Sequence, residues 1–486
     1  MSVQLKLANV NTHVVDILGS VKGRDQPVMK MDKAVELVKC LEEKVFINED
    51  YVFFDPFCKA GEILLSAALV TTLYKSKDKL VLLDTVYKEM YQSNRYFALA
   101  PDERHYNLSL RTFYGNEKSH DKNFTGNIKN GAYLSEIDGR LNEEKFNKEL
   151  KVMLEYIKEK TENKKIIAVG NPPYQEEDGG FGKSAKPIYN ILIEGLISSK
   201  KIDKFSLVIP ARWFSGGKWL DNFRNHMIQN KQIKKITYFE NSSHIFPTVD
   251  IRGGVCFLYW DKMHSGKTTI KNREKVVTKD ISDWDIIVPH VEAYSIIDKI
   301  LQKSDTFVSE IVWSSKPFGL RTFYFRKNTA LKSDNQYAIP CYSSGNRVLY
   351  ADRRDITKNR NRINEYQVAF PEASGGGKGH RDKVLLRPGH FFILNKGQIS
   401  TETYSIAGSF TTRKEAKNFL SFLQTNFARF LLGLRKPTQH TKAETFNWVP
   451  LMSTKKSWTD EELFKHFNIN SEEQKYIIEQ VERWTA

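Results

Sequence analysis

The sequence predicts an α/β protein built on a doubly wound, mostly parallel sheet, with a separate C-terminal α+β domain. Three observations carry that prediction. Up to about residue 260, apolar strand-like runs alternate with helix-like stretches, the pattern of a parallel sheet covered on both faces. At 486 residues the chain exceeds the ~100 to 200 residues usual for one domain. Positive charge is gathered in one place: residues 316–442 hold 23 Lys or Arg against 8 Asp or Glu, while the other 359 residues carry 51 against 50. The expected boundaries are a sheet domain over 1–262, a connector over 263–315, and the basic domain with a helical tail over 316–486.

The strand candidates, in order, are residues 51–57 (YVFFDPF), 95–101 (RYFALAP), 164–173 (KKIIAVGNPP), 204–211 (KFSLVIPA), 234–241 (KKITYFEN) and 253–260 (GGVCFLYW). Between them, 61–75 and 187–200 space apolar residues as helices do. The connector opens on polar residues and includes one helical stretch, 291–303. The basic region follows, with aromatic-punctuated polar runs and a glycine-rich loop at 374–383. In the tail, Thr459 is a candidate N-cap with acids in the first turn.

Composition narrows the function classes. The four cysteines, Cys40, Cys58, Cys256 and Cys341, show no CxxC or Cys/His spacing, so neither a zinc site nor a disulfide framework is expected, and no metal is implied. This usage fits a reducing cytoplasm. The N-terminus lacks a basic start followed by an apolar core, and no run of about 18 apolar residues occurs, so a soluble, cytoplasmic protein without a membrane partner is expected. The net charge of +16, concentrated as it is, points to a polyanion, because each neutralised phosphate releases condensed counterions.

Two stretches carry chemistry. In VFFDPFCKAGEIL, Asp55 ends a strand, Gly61 sits in the turn, and a helix follows. Ligands of doubly wound sheets bind in that crevice, and a glycine there lets them approach the backbone. The acid would repel a pyrophosphate and suits the cationic end of S-adenosylmethionine. The next strand ends at Asp102 and Glu103, either of which could accept hydrogen bonds from ribose hydroxyls. Farther on, Asn171-Pro172-Pro173-Tyr174 closes a buried strand. The prolines end strand pairing and turn carbonyls outward, Asn171 adds an amide oxygen, and Tyr174 adds a flat face with a polar tip. That set suits a planar heterocycle bearing an exocyclic amine.

DPFCKAGEIL, followed by GNPPYQ and then HIFPTVDIRGGVCFLYWDK, resembles the adenine-N6 DNA methyltransferases of restriction-modification systems, in the group whose cofactor motif precedes the catalytic motif and whose target-recognition domain comes last. The resemblance implies a Rossmann-like S-adenosylmethionine-dependent methyltransferase fold over 1–262, opened by a helical element at 11–38, and a DNA target-recognition domain over 316–486. It implies that Asp55, Phe57, Cys58 and Gly61 line S-adenosylmethionine and that Asp102 or Glu103 holds its ribose. Asn171 and Pro172 would accept the adenine N6 protons, with Pro173 fixing the turn, Tyr174 stacking on the flipped base, and Phe246 supplying a second aromatic. Lys59 stands where the family carries a small residue, so its cation is expected to point away from the sulfonium. Ala132 stands where an acid or amide usually meets the cofactor's adenine, leaving that task to the backbone near Tyr133 or to Asp138. Double-stranded DNA is the implied partner, with a separate restriction endonuclease subunit as a further one. Competing readings are a protein glutamine or RNA guanine-N2 methyltransferase, which share Asn-Pro-Pro-Tyr, and a degenerate DNA-binding specificity module.

Overall fold

The structure is a computed structural model and describes residues 29–76, 83–118, 125–135, 139–176, 186–216, 219–247, 251, 253–313, 315–345, 347–373, 388–436 and 440–481. It divides into two compact units that meet in sequence at Val291 and Glu292.

The first unit holds one large sheet. Its strands are β1 (Tyr51–Asp55), β2 (Tyr96–Ala100), β3 (Ile128–Asn130), β4 (Lys165–Gly170), β5 (Ile202–Pro210), β6 (Ile233–Phe239), β7 (Val255–Asp261), β8 (Thr268–Asn272) and β9 (Lys275–Lys279). They lie in the order β3-β2-β1-β4-β5-β7-β6-β8-β9. The pairs from β3 to β5 are parallel, β7 runs antiparallel between β5 and β6, and β9 is antiparallel to β8. The predicted mixed α/β fold with a doubly wound, mainly parallel sheet is therefore present. Every residue of β1 and β2 is buried, as expected of central parallel strands read as continuous apolar runs. Prolines stand at the carboxyl ends: Pro56 after β1, Pro101 after β2, Pro172 and Pro173 after β4, and Pro210 closing β5. A ring nitrogen cannot donate to a ladder, so pairing stops there and the chain leaves the sheet.

All six strand candidates form strands, and the stretches at 61–75 and 187–200 form the helices Glu62–Lys75 and Tyr189–Ser198. Of the helical element expected over 11–38, the described part is a helix at Met31–Val38. The expected connector at 263–315 is instead shared out. Its first part pairs into the sheet as β8, between β6 and β9, and as the edge strand β9, whose polar residues and lysines suit an exposed edge; neither strand holds an apolar run to read. Its second part gives the helix Ala293–Leu301 of the second unit.

The second unit has two three-stranded sheets. One orders β11 (Arg347–Asp352), β10 (Ala338–Ser343) and β14 (Ile399–Ser400); the other orders β13 (Phe392–Leu394), β12 (Tyr366–Pro371) and β15 (Tyr404–Phe410). Among its helices, Asp460–His466 is capped as predicted: the Thr459 hydroxyl accepts the Glu462 N–H, and the Glu462 carboxylate accepts the Thr459 N–H. The glycine-rich loop at 374–383 lies outside the described residues.

A charged cluster ties the start of the chain to the sheet. The Glu42 carboxylate pairs with Lys204 at 3.3 Å and with Lys234, and accepts the Tyr259 hydroxyl at 3.2 Å. Partial burial works against its ionisation, but the lysines win and hold its pKa at about 2, against an ordinary 4.5. A depressed carboxylate stabilises the fold at pH values above 4.5 and loses that contribution as pH falls toward 2. Glu42→Gln is expected to cost about 1.5 to 3 kcal/mol near neutrality, the range for hydrogen bonds to charged groups. Denaturant titrations of the two proteins should converge as pH is lowered from 4.5 toward 2; a constant difference would show that the cluster's charge does not matter.

Candidate active site

Strand order makes a switch point between β1 and β4: the chain leaves β1 toward β2 on one side, while β4 flanks it on the other. Ligands of open α/β sheets bind outside the carboxyl ends at that point. The three stretches singled out in the sequence all arrive there. Phe54 is in register with Ala168, so the next residue, Asp55, comes level with Val169, just before Gly170 ends β4. A Cβ built on Gly170 would stand 2.7 Å from Asp55 Oδ1, which shows how closely the acid lies against the strand that leads into Asn171.

Asp55 is buried, and its Oδ1 accepts the Phe57 N–H at 2.9 Å, so the turn is tied to the carboxylate itself. Gly61 takes φ +82° as N-cap of the helix Glu62–Lys75, a conformation that favours glycine, and a Cβ there would come within 2.7 Å of the Phe113 ring. Phe57 and Cys58 are fully buried, Phe57 stacks toward Phe146 at 6.1 Å, and the Cys58 N–H donates to Leu99 O at 3.2 Å. Burial pushes the Cys58 thiol well above its usual range, aided by the Asp55 and Glu62 carboxylates.

Lys59 does not reach solvent: it is 3% exposed, in a turn that also buries Asp55 and Glu62. Burial pushes the Asp55 carboxyl well above the usual carboxylate range, and Glu62 adds to the rise, against the Phe57 N–H and the Lys59 ammonium. Glu62 is raised by burial too and is likewise opposed by Lys59. Two buried acids and one buried cation leave this end of the sheet short of positive charge. A cationic ligand fits that deficit. Glu62 escaped the sequence reading because a glutamate in a first helical turn is ordinarily a surface residue favoured by the helix dipole.

Of the two ribose candidates, the structure separates them. Glu103 is exposed, whereas Asp102 is buried and caps its own helix, Glu103–Lys118. Asp102 Oδ1 accepts the His105 N–H at 2.8 Å, and Oδ2 meets His105 Nδ1 at 2.6 Å. Burial alone would raise this carboxyl, but the contacts with His105 hold it below the ordinary value. The i, i+3 spacing of Asp102 and His105 was the available signal for this pair.

Tyr133 is placed by its side chain more than by its backbone. Its hydroxyl donates to Pro56 O at 2.8 Å, bracing the Asp55 turn from the β3 side, and its carbonyl accepts the Asn142 N–H at 2.9 Å. Ala132 is exposed at φ +42°, its N–H donating to Asn130 Oδ1 at 3.0 Å. Asp138 lies outside the described residues.

At the end of β4, Asn171, Pro172 and Pro173 are buried and Tyr174 is half-buried. The Tyr174 carbonyl accepts the Ile188 N–H at 3.1 Å, and Gln175 bridges Pro187, so the segment is pinned from the side of the following helix. The Tyr174 hydroxyl is buried without a hydrogen-bond partner among the described residues. Phe246 is 1% exposed and meets the Tyr174 ring edge-on, with centroids 6.2 Å apart at 72°. Its position is built by Ser242, whose carbonyl accepts the Phe246 N–H at 2.8 Å and whose hydroxyl accepts the Ile251 N–H at 2.8 Å. In this arrangement Phe246 supports Tyr174 from inside the core instead of facing a second ligand surface.

Part of the chain is similar to known proteins of restriction-modification systems. An uncharacterised adenine-specific methylase of Mycoplasma pneumoniae is 29% identical over 173 residues, a stretch that covers 33% of this chain and 39% of that protein. The chain thus matches well under half the length of that curated relative. Among solved structures, the EcoKI M protein of a type I restriction enzyme aligns at 14% identity and a TM-score of 0.31, over 52% of this chain and 49% of that one. A nuclease-deletion mutant of the type ISP restriction-modification enzyme LlaGI, bound to a DNA substrate mimic, aligns at 9% identity and a TM-score of 0.43, over 94% of this chain and 46% of that one. Residues 94–246, the span that holds Asp102, Tyr133, Asn171 to Tyr174 and Phe246, match the Eco57I restriction-modification methylase family.

Proposed function

We propose that this chain is a site-specific DNA adenine-N6 methyltransferase, the modification component of a restriction-modification system. The observation that carries the reading is the closeness of Asp55 to Gly170, the residue that leads into Asn171, at the sheet's switch point: an acid for a cationic donor near an amide for an amine acceptor. The family match over residues 94–246 and the adenine specificity named for the Mycoplasma relative support it. The basic stretch 316–442 supports double-stranded DNA as the partner, bound mainly through phosphates. A separate endonuclease subunit and a cytoplasmic location belong to the same reading.

The residues present fit S-adenosylmethionine. Asp55, with Glu62 behind it, offers negative charge where little positive charge offsets it, Gly61 leaves the backbone open, and Asp102 is a buried carboxylate at the end of the neighbouring strand. The cofactor supplies an electrophilic methyl group on a sulfonium. The rest is done by this chain. Asn171 Oδ1 and the Pro172 carbonyl accept the two N6 protons, which favours a pyramidal nitrogen with its lone pair free. Tyr174 offers its ring face to the extruded base, because an amine inside a stacked duplex cannot be aligned with a methyl donor. No covalent intermediate is needed; the amine gains a methyl and loses a proton.

His105 acts through Asp102. His105→Ala is expected to raise the KM for S-adenosylmethionine about tenfold, equivalent to about 1.4 kcal/mol, with kcat little changed, because Asp102 Oδ2 loses the imidazole contact that fixes it while the backbone N–H at position 105 still holds Oδ1. His105→Asn keeps a donor and should recover part of the loss. An equal fall in kcat and kcat/KM would contradict this positioning role. The whole reading is tested by sequencing modified bases in DNA from cells expressing the chain, together with tritium transfer from labelled S-adenosylmethionine. Label on adenine N6 within one recurring motif is expected; label on cytosine, RNA or protein would overturn it.

A further inference from the structure

We propose that the β10–β11 hairpin of the second unit is the element that reads base sequence, presenting its edge strand β11 and its turn, with Arg347 beside it, to the DNA major groove. The inference rests on the reading of the chain as a DNA-acting enzyme and names the surface that contacts the bases.

The hairpin is a regular antiparallel pair over six residues, from Ala338 opposite Asp352 to Ser343 opposite Arg347. Among the described residues β11 is an edge strand paired to β10 alone, while β10 is also bonded to β14 at Cys341 and Tyr342, so the free edge of this sheet is that of β11. Its two faces differ. Ile339, Cys341 and Ser343 are buried, whereas Ala338, Pro340 and Tyr342 on β10 remain half-exposed. Opposite them on β11, Tyr350 is half-exposed and Val348 is 45% exposed. That outward face presents methyl-sized and aromatic surface suited to thymine methyl groups and base edges.

Charge selects the partner. From residue 321 to 360 the chain holds nine cations, Arg321, Arg326, Lys327, Lys332, Arg347, Arg353, Arg354, Lys358 and Arg360, against three acids, Asp334, Asp352 and Asp355, and all nine cations are exposed. Two of the acids are engaged within the patch. Asp352 accepts Arg354 Nε at 3.0 Å and Nη2 at 2.7 Å, and Asp355 accepts the Tyr324 hydroxyl at 2.6 Å. Arg354 also lies over the exposed Tyr337 ring at 4.1 Å, which holds its guanidinium at the base of the hairpin. Exposed aromatic and apolar side chains interleaved with a surplus of cations over acids fit a nucleic acid better than an apolar protein surface.

Roles divide by position. Arg347 is exposed next to the turn, where Gly345 takes φ +75°; it pairs with Ser343, across the strand from the Val348 and Tyr350 face, and its Nε donates to Ser344 O at 3.2 Å, which ties the guanidinium to the turn. An arginine there can meet the O6 and N7 of a guanine. Lys358 and Arg360 lie beyond the base of the hairpin and suit phosphates.

The test is selection of bound sequences from a random duplex pool by the full chain, with thermal melting to confirm folding. The wild type is expected to enrich one motif containing guanine. Arg347→Ala should weaken binding to that motif by about 5- to 150-fold and relax selection at one base pair, with binding to unrelated DNA little changed. Lys358→Ala with Arg360→Ala should weaken all sequences alike and flatten the salt dependence. Enrichment of no motif by the wild type, or an unaltered motif and affinity in a folded Arg347→Ala, would overturn the proposal. Enrichment of a motif without methyl transfer to adenine would instead sink the catalytic reading and leave the hairpin assignment standing.

Discussion

Asn171→Ala is expected to lower methyl transfer by about 100- to 1,000-fold, the loss seen when one preorganised polar contact to a transition state is removed, while DNA affinity barely changes. Asn171 is 1% exposed at the end of β4, so its amide is held by the strand and by the prolines that follow. It is needed most when the amine becomes pyramidal, which is a demand of the transition state and not of binding. Tyr174 separates stacking from hydrogen bonding. Its hydroxyl has no hydrogen-bond partner among the described residues, so Tyr174→Phe should keep most activity and cost little stability. Tyr174→Ala removes the ring and should weaken the extruded state by about 1 to 3 kcal/mol, the range for a base stacked on an aromatic side chain. Tritium transfer measures the first effect, and fluorescence of 2-aminopurine at the target position measures the last. Full activity in Asn171→Ala would end the mechanism proposed for it.

Much of this site was legible because its signals are local. A strand that ends in Asp-Pro or Asn-Pro-Pro declares its own terminus, since proline cannot continue a ladder, and in a doubly wound sheet the strand ends are where ligands go. Asp55, the Asp102-Glu103 pair and Asn171 are therefore placed at strand ends by the sequence alone, whereas the choice between Asp102 and Glu103 needs their burial. What stayed hidden depends on packing between distant segments. Nothing local marks Glu62 as buried, Tyr133 as the brace of Pro56, or Phe246 as an edge-on support of Tyr174. β3, with three residues, is too short for a periodicity; β8 escaped because its five residues include one large apolar side chain, Ile270, and β9 because a strand on an exposed edge carries lysine and threonine in place of an apolar run. The charge asymmetry was visible in composition, yet which cations share one surface required the pairing of β10 with β11.

Gly170→Ala is expected to disable both halves of the site at once. The new methyl carbon would stand 2.7 Å from Asp55 Oδ1 and 3.2 Å from Phe57 Cδ2, closer than such atoms pack, and neither neighbour is the free end of a flexible chain. Asp55 cannot retreat easily, because its Oδ1 also holds the Phe57 N–H and the whole turn from Phe57 to Gly61 is buried. Either the carboxylate moves or the strand end does, and the second choice displaces Asn171 in the next residue. Overpacking of this kind costs about 1 to 3 kcal/mol of stability. Affinity for S-adenosylmethionine should fall at least about tenfold, since a displacement of a charged contact readily costs 1.4 kcal/mol. Methyl transfer should fall further than affinity, because the amide is misplaced as well. A double-mutant cycle separates this clash from general damage: in an Asp55→Gly background the carboxylate is gone, so the added penalty of Gly170→Ala on cofactor binding should shrink. Calorimetric titration of the four proteins gives the cycle directly. Wild-type affinity for S-adenosylmethionine in a folded Gly170→Ala would remove Asp55 from the cofactor site, and additive losses across the cycle would show that the two residues act there independently.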